Sequence, residues 1–167
     1  PTDIAVLEAG EQRKDLPCSA VSIKPMLGFD LKYHSGYEVS VPLKDLAGNE
    51  NILTILFRVT PVDPVGDSLY LTQKIRVPAI EEDAKGDAYL QGGFDLGEGK
   101  YKIDWLMRDR TERVCSDSWE IEALLPPKDK QIAMAIAPGA IRPLDREQFK
   151  EEPPVARAVG HAAEEVE

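Results

Sequence analysis

Cys18 and Cys115 are the only thiols in a chain of 167 residues, and His34 and His161 are its only imidazoles. In an oxidising compartment the two cysteines would tie the first strand region to the last hairpin, whereas in a reducing one they would stay free thiols. A cysteine nucleophile needs a nearby base, and a tetrahedral zinc centre needs four convergent ligands. No paired Cys or His spacing in the sequence supplies either. Asp63, Asp67, Glu81, Glu82, Asp83 and Asp87 fall on predicted loops and offer the oxygen ligands that calcium prefers, but no D-x-D-x-D-G loop organises them. The nucleophile elbow G-x-S-x-G, the phosphate loop G-x-x-x-x-G-K-S/T and a G-x-G-x-x-G turn opening a helix are all missing. The expectation is no catalytic residue, no metal and no cofactor.

Aromatic side chains are the remaining chemistry. Tyr70, Tyr89, Trp105 and Trp119 would form a carbohydrate- or peptide-binding surface if exposed. Alternation along their strands sends Trp105 and Trp119 to the core. Tyr70 falls on the polar face of its strand and is the candidate exposed binding aromatic. Asp104, set between Ile103 and Trp105, either faces solvent or pairs with an arginine.

The elements that must position these residues have a period of two. Tyr37, Val39, Val41 and Leu43 alternate with Glu38, Ser40 and Pro42, the signature of a half-buried strand. Residues 52 to 59 are almost continuously apolar and β-branched, which suits a central strand. Leu69, Leu71, Ile75 and Val77 share one face of the next strand, and Leu90, Phe94 and Leu96 one face of another. Gly92-Gly93 inside the latter points to a bulge or a close backbone approach. Tyr101, Ile103, Trp105 and Met107 enter the core together, and after the reversal at residues 109 to 113, Cys115, Trp119, Ile121 and Ala123 continue a partner strand. Nearer the start, Val21 and Ile23, then Phe29, Leu31 and Tyr33, suggest two shorter strands. Helical periodicity is nearly absent before residue 140, so parallel βαβ topology is excluded in favour of an antiparallel sandwich or barrel.

The run Gly99-Lys100-Tyr101-Lys102-Ile103, the turn Arg108-Asp109-Arg110 and the closing strand to Ile121 resemble immunoglobulin-like β-sandwich modules of secreted bacterial proteins, some of them linked to von Willebrand factor A-type domains. The resemblance is carried by residues 88 to 125 and elsewhere by strand rhythm. It implies an all-β, antiparallel immunoglobulin-like β-sandwich of about seven or eight strands with a C-terminal extension, and places Tyr101 at a tyrosine corner. Ile103 stands where the antibody-type domains have their second cysteine, so their inter-sheet disulfide is not implied.

Residues 1–125 are assigned to the sandwich, and 126–167 to a Pro-rich, acidic linker or interaction arm. Within the arm Ile132, Met134 and Ile136 offer a further strand, and Asp145 could cap a short helix. Glu151, Glu152, Glu164, Glu165 and Glu167 face Arg157 alone in its last part. The apolar stripe could add a strand to a sheet edge within one chain or between two, the second route giving a homodimer.

Thirty acidic and twenty basic residues leave a formal charge of −10, which repels phosphate backbones and anionic lipid surfaces. Nucleic acid is not expected as a partner. No stretch approaches the roughly 18 apolar residues of a membrane span, and the opening Pro1-Thr2-Asp3 lacks the basic and apolar regions of a signal peptide, which could have been removed. The functional expectation is a non-catalytic extracytoplasmic module, periplasmic or secreted, for interaction with a protein partner or a neighbouring domain of a longer chain, or for spacing. The alternative is a carbohydrate-binding module or an enzyme using exposed aromatics and loop carboxylates.

Overall fold

Alternating apolar residues separated by turn formers build two facing antiparallel sheets in the computed structural model, which describes residues 2–9, 12–129 and 132–143. The strands are β1 (Ser19–Leu27), β2 (Tyr33–Pro42), β3 (Asn51–Asp63), β4 (Leu69–Val77), β5 (Asp87–Leu96), β6 (Gly99–Arg108), β7 (Val114–Ala123) and β8 (Ile141–Pro143). One sheet has the order β1-β2-β5-β8 and the other β4-β3-β6-β7. The chain is an all-β sandwich, with a single short α-helix, α1 (Thr2–Ala9), among the described residues.

The core is the inner face of both sheets. Tyr37, Ile55, Phe57, Phe94, Ile103, Trp105 and Met107 are all buried there. Tyr37 lies edge-on to Phe57 with ring centroids 5.4 Å apart and 5.5 Å from Trp105, geometries that favour aromatic pairs over stacked sandwiches. Tyr101, the tyrosine expected at a corner, is fully buried and donates its hydroxyl to the Gly97 carbonyl at 2.7 Å. Burial pushes its pKa up to about 12, which keeps that hydroxyl a donor.

Three sequence expectations are corrected by this arrangement. Phe29, Leu31 and Tyr33 do not form a strand of their own: Phe29 and Leu31 lie in the β1–β2 turn, and Tyr33 opens a single strand running through Gly36 to Pro42. Gly36 is a strand residue because the backbones crowd there; a Cβ would sit 2.0 Å from the Gly92 carbonyl oxygen. Gly92-Gly93 accordingly marks a close approach, since the β2–β5 register is continuous and a Cβ on Gly92 would meet the Tyr37 hydroxyl at 2.5 Å. Second, Ile132, Met134 and Ile136 are not in a strand, although Ile136 is buried and the other two pack partly against the core. The strand of this region is β8, which pairs with Phe94, Asp95 and Leu96 on the edge of β5. Third, α1 breaks the expectation of no helix before residue 140. It covers the outer face of β3 and β6, where Leu7 sits among Leu56, Leu106 and Val114. The expected cap at Asp145 and the acidic tail lie outside the described residues.

Residues 126–129 and 132–143 lie against one end of the sandwich. The Ala135 amide donates to the Leu31 carbonyl at 2.9 Å, Gly139 to Glu98 at 3.0 Å, and the Gly97 amide to Ala140 at 3.0 Å. The stripe of Ile132, Met134 and Ile136 thus adds no strand to a sheet edge; the edge of β5 is paired by Ile141–Pro143 of the same chain instead.

Candidate functional site

Cys18 lies just ahead of β1 and Cys115 on β7, and the two form a disulfide with Cα atoms 6.3 Å apart. The separation falls within the range that a disulfide spans without moving the backbone. It joins an edge of one sheet to an edge of the other. Next to it, the Lys14–Cys115 bridge, the Leu16 amide bonded to the Val114 carbonyl, and the Ser116 amide bonded to the Arg13 carbonyl hold residues 13 to 16 along β7.

A cluster of charge lies at the other end of the β1-β2-β5-β8 sheet. Register brings Met26, His34, Asp95 and Arg142 into one row across its outer face. His34 Nδ1 is 2.6 Å from Asp95 Oδ1, and Nε2 is 3.0 Å from Asp30 Oδ1. Both ring nitrogens can donate only if the imidazole is protonated. Partial burial works to lower the His34 pKa, but the hydrogen bonds and charges of Asp30 and Asp95 outweigh it and the net shift is upward. The hydrogen bond from His34 in turn holds Asp30 below its ordinary value. Lys32 Nζ adds a contact 4.0 Å from the buried Asp95 carboxylate. Because both nitrogens of His34 are engaged by carboxylates, the ring serves as a clamp and has no lone pair free for a ligand.

That clamp shapes the β1–β2 turn. The Gly28 amide donates to Lys32 at 2.9 Å and the Leu31 amide to Gly28 at 3.0 Å, and Leu31 adopts φ 63°, a left-handed conformation unusual for a branched residue. A Cβ at position 28 would lie 2.8 Å from His34 Nε2, so a larger residue there would push the side chains of the clamp aside. The turn holds Phe29 fully in solvent, with Met26 68% exposed and Leu27 and Leu31 half-exposed beside it.

Tyr70, the candidate binding aromatic, is 40% exposed but engaged. Its hydroxyl donates to Glu8 of α1 at 2.9 Å, and its ring lies under the Arg58 guanidinium 5.9 Å away. Arg58 also bonds Asp104 through Nη2 at 2.9 Å and Nε at 3.2 Å. Asp104 is therefore the arginine-paired acid, and it is buried. Tyr70, Arg58, Glu8 and Asp104 form a latch that fastens α1 to the sheet. Among the loop acids, Asp63, Asp67, Glu81, Glu82, Asp83 and Asp87 do not converge: no group of three or more His, Cys, Asp or Glu side chains among the described residues is placed to hold a metal ion.

No family model and no curated protein matches the chain. Among solved structures, the X-ray structure of Northeast Structural Genomics Consortium target SoR45 is similar over 70% of this chain and 91% of that one, with 11% identity and a TM-score of 0.36. A likeness at that level carries no argument. No helix among the described residues is long and apolar enough to cross a membrane.

Asp30 and Asp95 are the site residues that sequence reasoning missed. Asp30 stands four residues before His34, a spacing that a reader could have noticed. Asp95 is 61 residues from His34 and arrives only through the β2–β5 register.

Proposed function

We propose that this chain is a non-catalytic, extracytoplasmic module of immunoglobulin-like type, which spaces or docks a protein partner or a neighbouring domain. The observation that carries the reading is the disulfide between Cys18 and Cys115. Such bonds persist in oxidising compartments and are rare where thiol reductants prevail. The buried Tyr101 corner supports the immunoglobulin-like part, since that hydrogen bond to backbone a few residues upstream is a hallmark of such sandwiches. The engaged polar side chains support a scaffold: His34, Arg58, Asp104 and Asp109 all have partners within the fold.

The test is thiol trapping in the producing cell, with free thiols blocked before lysis and a mass tag added after reduction. Two tags per chain, appearing only after reduction, are expected. Labelling of Cys18 and Cys115 before reduction would place the chain in a reducing compartment and sink the reading. A panel of soluble glycans titrated against the same protein addresses the rival, because saturable glycan binding favours the carbohydrate-binding alternative.

A further inference from the structure

Asp30 Oδ1 receives two donors, His34 Nε2 at 3.0 Å and the Lys32 amide at 3.3 Å. The second bond closes around Leu31, the residue between its partners. Leu31 has φ 63°, a conformation that persists only where neighbouring contacts impose it. Two backbone bonds complete the brace, from the Leu31 amide to Gly28 and from the Gly28 amide to Lys32. The Leu31 carbonyl, oriented by this brace, accepts the Ala135 amide at 2.9 Å. A continuous run of contacts thus leads from one ring nitrogen of His34 through Asp30 and Leu31 to a distant part of the chain.

We propose that the β1–β2 turn is a proton-operated catch on the segment around Ala135: with His34 protonated the turn is braced and holds Ala135, and with His34 neutral Asp30 lets go and the contact loosens. This goes beyond the module reading and does not depend on it. A neutral imidazole has one N–H to share between two carboxylates, and its other nitrogen turns a lone pair toward an oxygen. Asp95 keeps the donor, because its side chain is only 7% exposed and a buried carboxylate without a donor costs more than one that water can reach. Nε2 then faces Asp30 with no hydrogen, and Asp30, exposed on its turn, swings into solvent and abandons the Lys32 amide as well. The charged groups facing His34 are Asp30 and Lys32 from the turn, Asp95 from β5, and Arg142 opposite Asp95 on β8, while β1 offers the uncharged Met26. Lys32 and Arg142 oppose a further positive charge, yet the carboxylates outweigh them, since the His34 pKa is raised. The catch is therefore closed below the ordinary imidazole value of about 6.5 and opens as pH rises through the raised one. The bonds from Gly139 to Glu98 and from Gly97 to Ala140, and the pairing of β8 with β5, do not pass through the turn and stay in place.

The experiment is amide hydrogen exchange followed by NMR on the disulfide-intact chain, expressed as protection factors so that the pH dependence of the chemical step cancels. Between about pH 5.5 and about pH 8.5, protection at Lys32 and Ala135 should fall roughly two- to fivefold, the span open to an ion pair with this much solvent access. The midpoint should match that of the His34 ring resonances, and the Gly97 amide should not follow. Asp30→Ala, at an exposed position, should keep the β-sheet circular dichroism signal and lose the transition, with Ala135 as poorly protected at low pH as it is in the wild type at high pH. The chain carries a second imidazole, His161, so His161→Gln should retain the transition. Protection at Ala135 that stays level across the His34 titration overturns the proposal, as does a transition that survives in Asp30→Ala or disappears in His161→Gln. None of these results touches the module reading, which stands or falls on the state of Cys18 and Cys115.

Discussion

His34 donates to both Asp95 and Asp30 only as a cation, so its contribution to stability is tied to pH. Its pKa is raised in the fold, so the stabilisation is fully present below the unfolded value of about 6.5 and is lost as pH rises through the folded value. Because the ring is more than a third exposed, the effect stays below ~1 kcal/mol. Melting curves of wild type and His34→Gln should therefore differ most at mildly acidic pH and converge on the alkaline side; a constant gap would contradict the clamp. The Arg58–Asp104 pair is a stronger case, because the Asp104 side chain is only 3% exposed. Asp104→Ala leaves the guanidinium half-buried beside an empty site and should destabilise by about 3 kcal/mol in urea unfolding. Tyr70→Phe removes one hydroxyl at the rim and should cost no more than about 1 kcal/mol.

Helix α1 is the element that the sequence concealed. Ile4, Ala5, Val6 and Leu7 run consecutively, with no 3.6-residue stripe to distinguish a helix from a buried strand. Its seat was equally hidden, since Leu106 alternates with core residues of β6 and so reads as an outward position. The strands were far easier to find, because β3, β4, β6 and β7 each present a plain alternation or a β-branched run bounded by Pro, Gly and Asp. The turn at Phe29 and Leu31 imitated that alternation, and nothing local to those residues distinguishes the two. Ile132, Met134 and Ile136 also alternate, yet they pack as an irregular segment beneath the sandwich. The clamp on His34 was illegible for another reason: it is assembled by register between strands far apart in the chain. The importance of α1 can be tested through Leu7, which is 2% exposed. Leu7→Ala should cost roughly 2 to 3 kcal/mol and uncover Leu56 and Leu106, seen as increased binding of a hydrophobic dye without loss of the β-sheet circular dichroism signal.

On the scale of the whole molecule, the disulfide closes a loop between residues 97 apart in sequence. In the chain-entropy account, reduction should lower stability by roughly 4 to 5 kcal/mol, measured as the shift in denaturant midpoint between oxidised and reduced protein with the slope followed in both. The same bond turns Cys18 to Cys115 into a covalent lasso that encloses β1 to β6. Tension applied through the ends of the chain would travel across this bond and bypass everything inside. β7 beyond Cys115 and the folded-back arm would peel away first, while the six enclosed strands carried no load. In single-molecule pulling, oxidised protein should therefore extend only through the segments outside the lasso. Reduction should release a further contour length of roughly 340 Å, at about 3.5 Å for each of the 97 residues. A chain bearing this bond between a surface and a neighbour would transmit force while its core stayed folded.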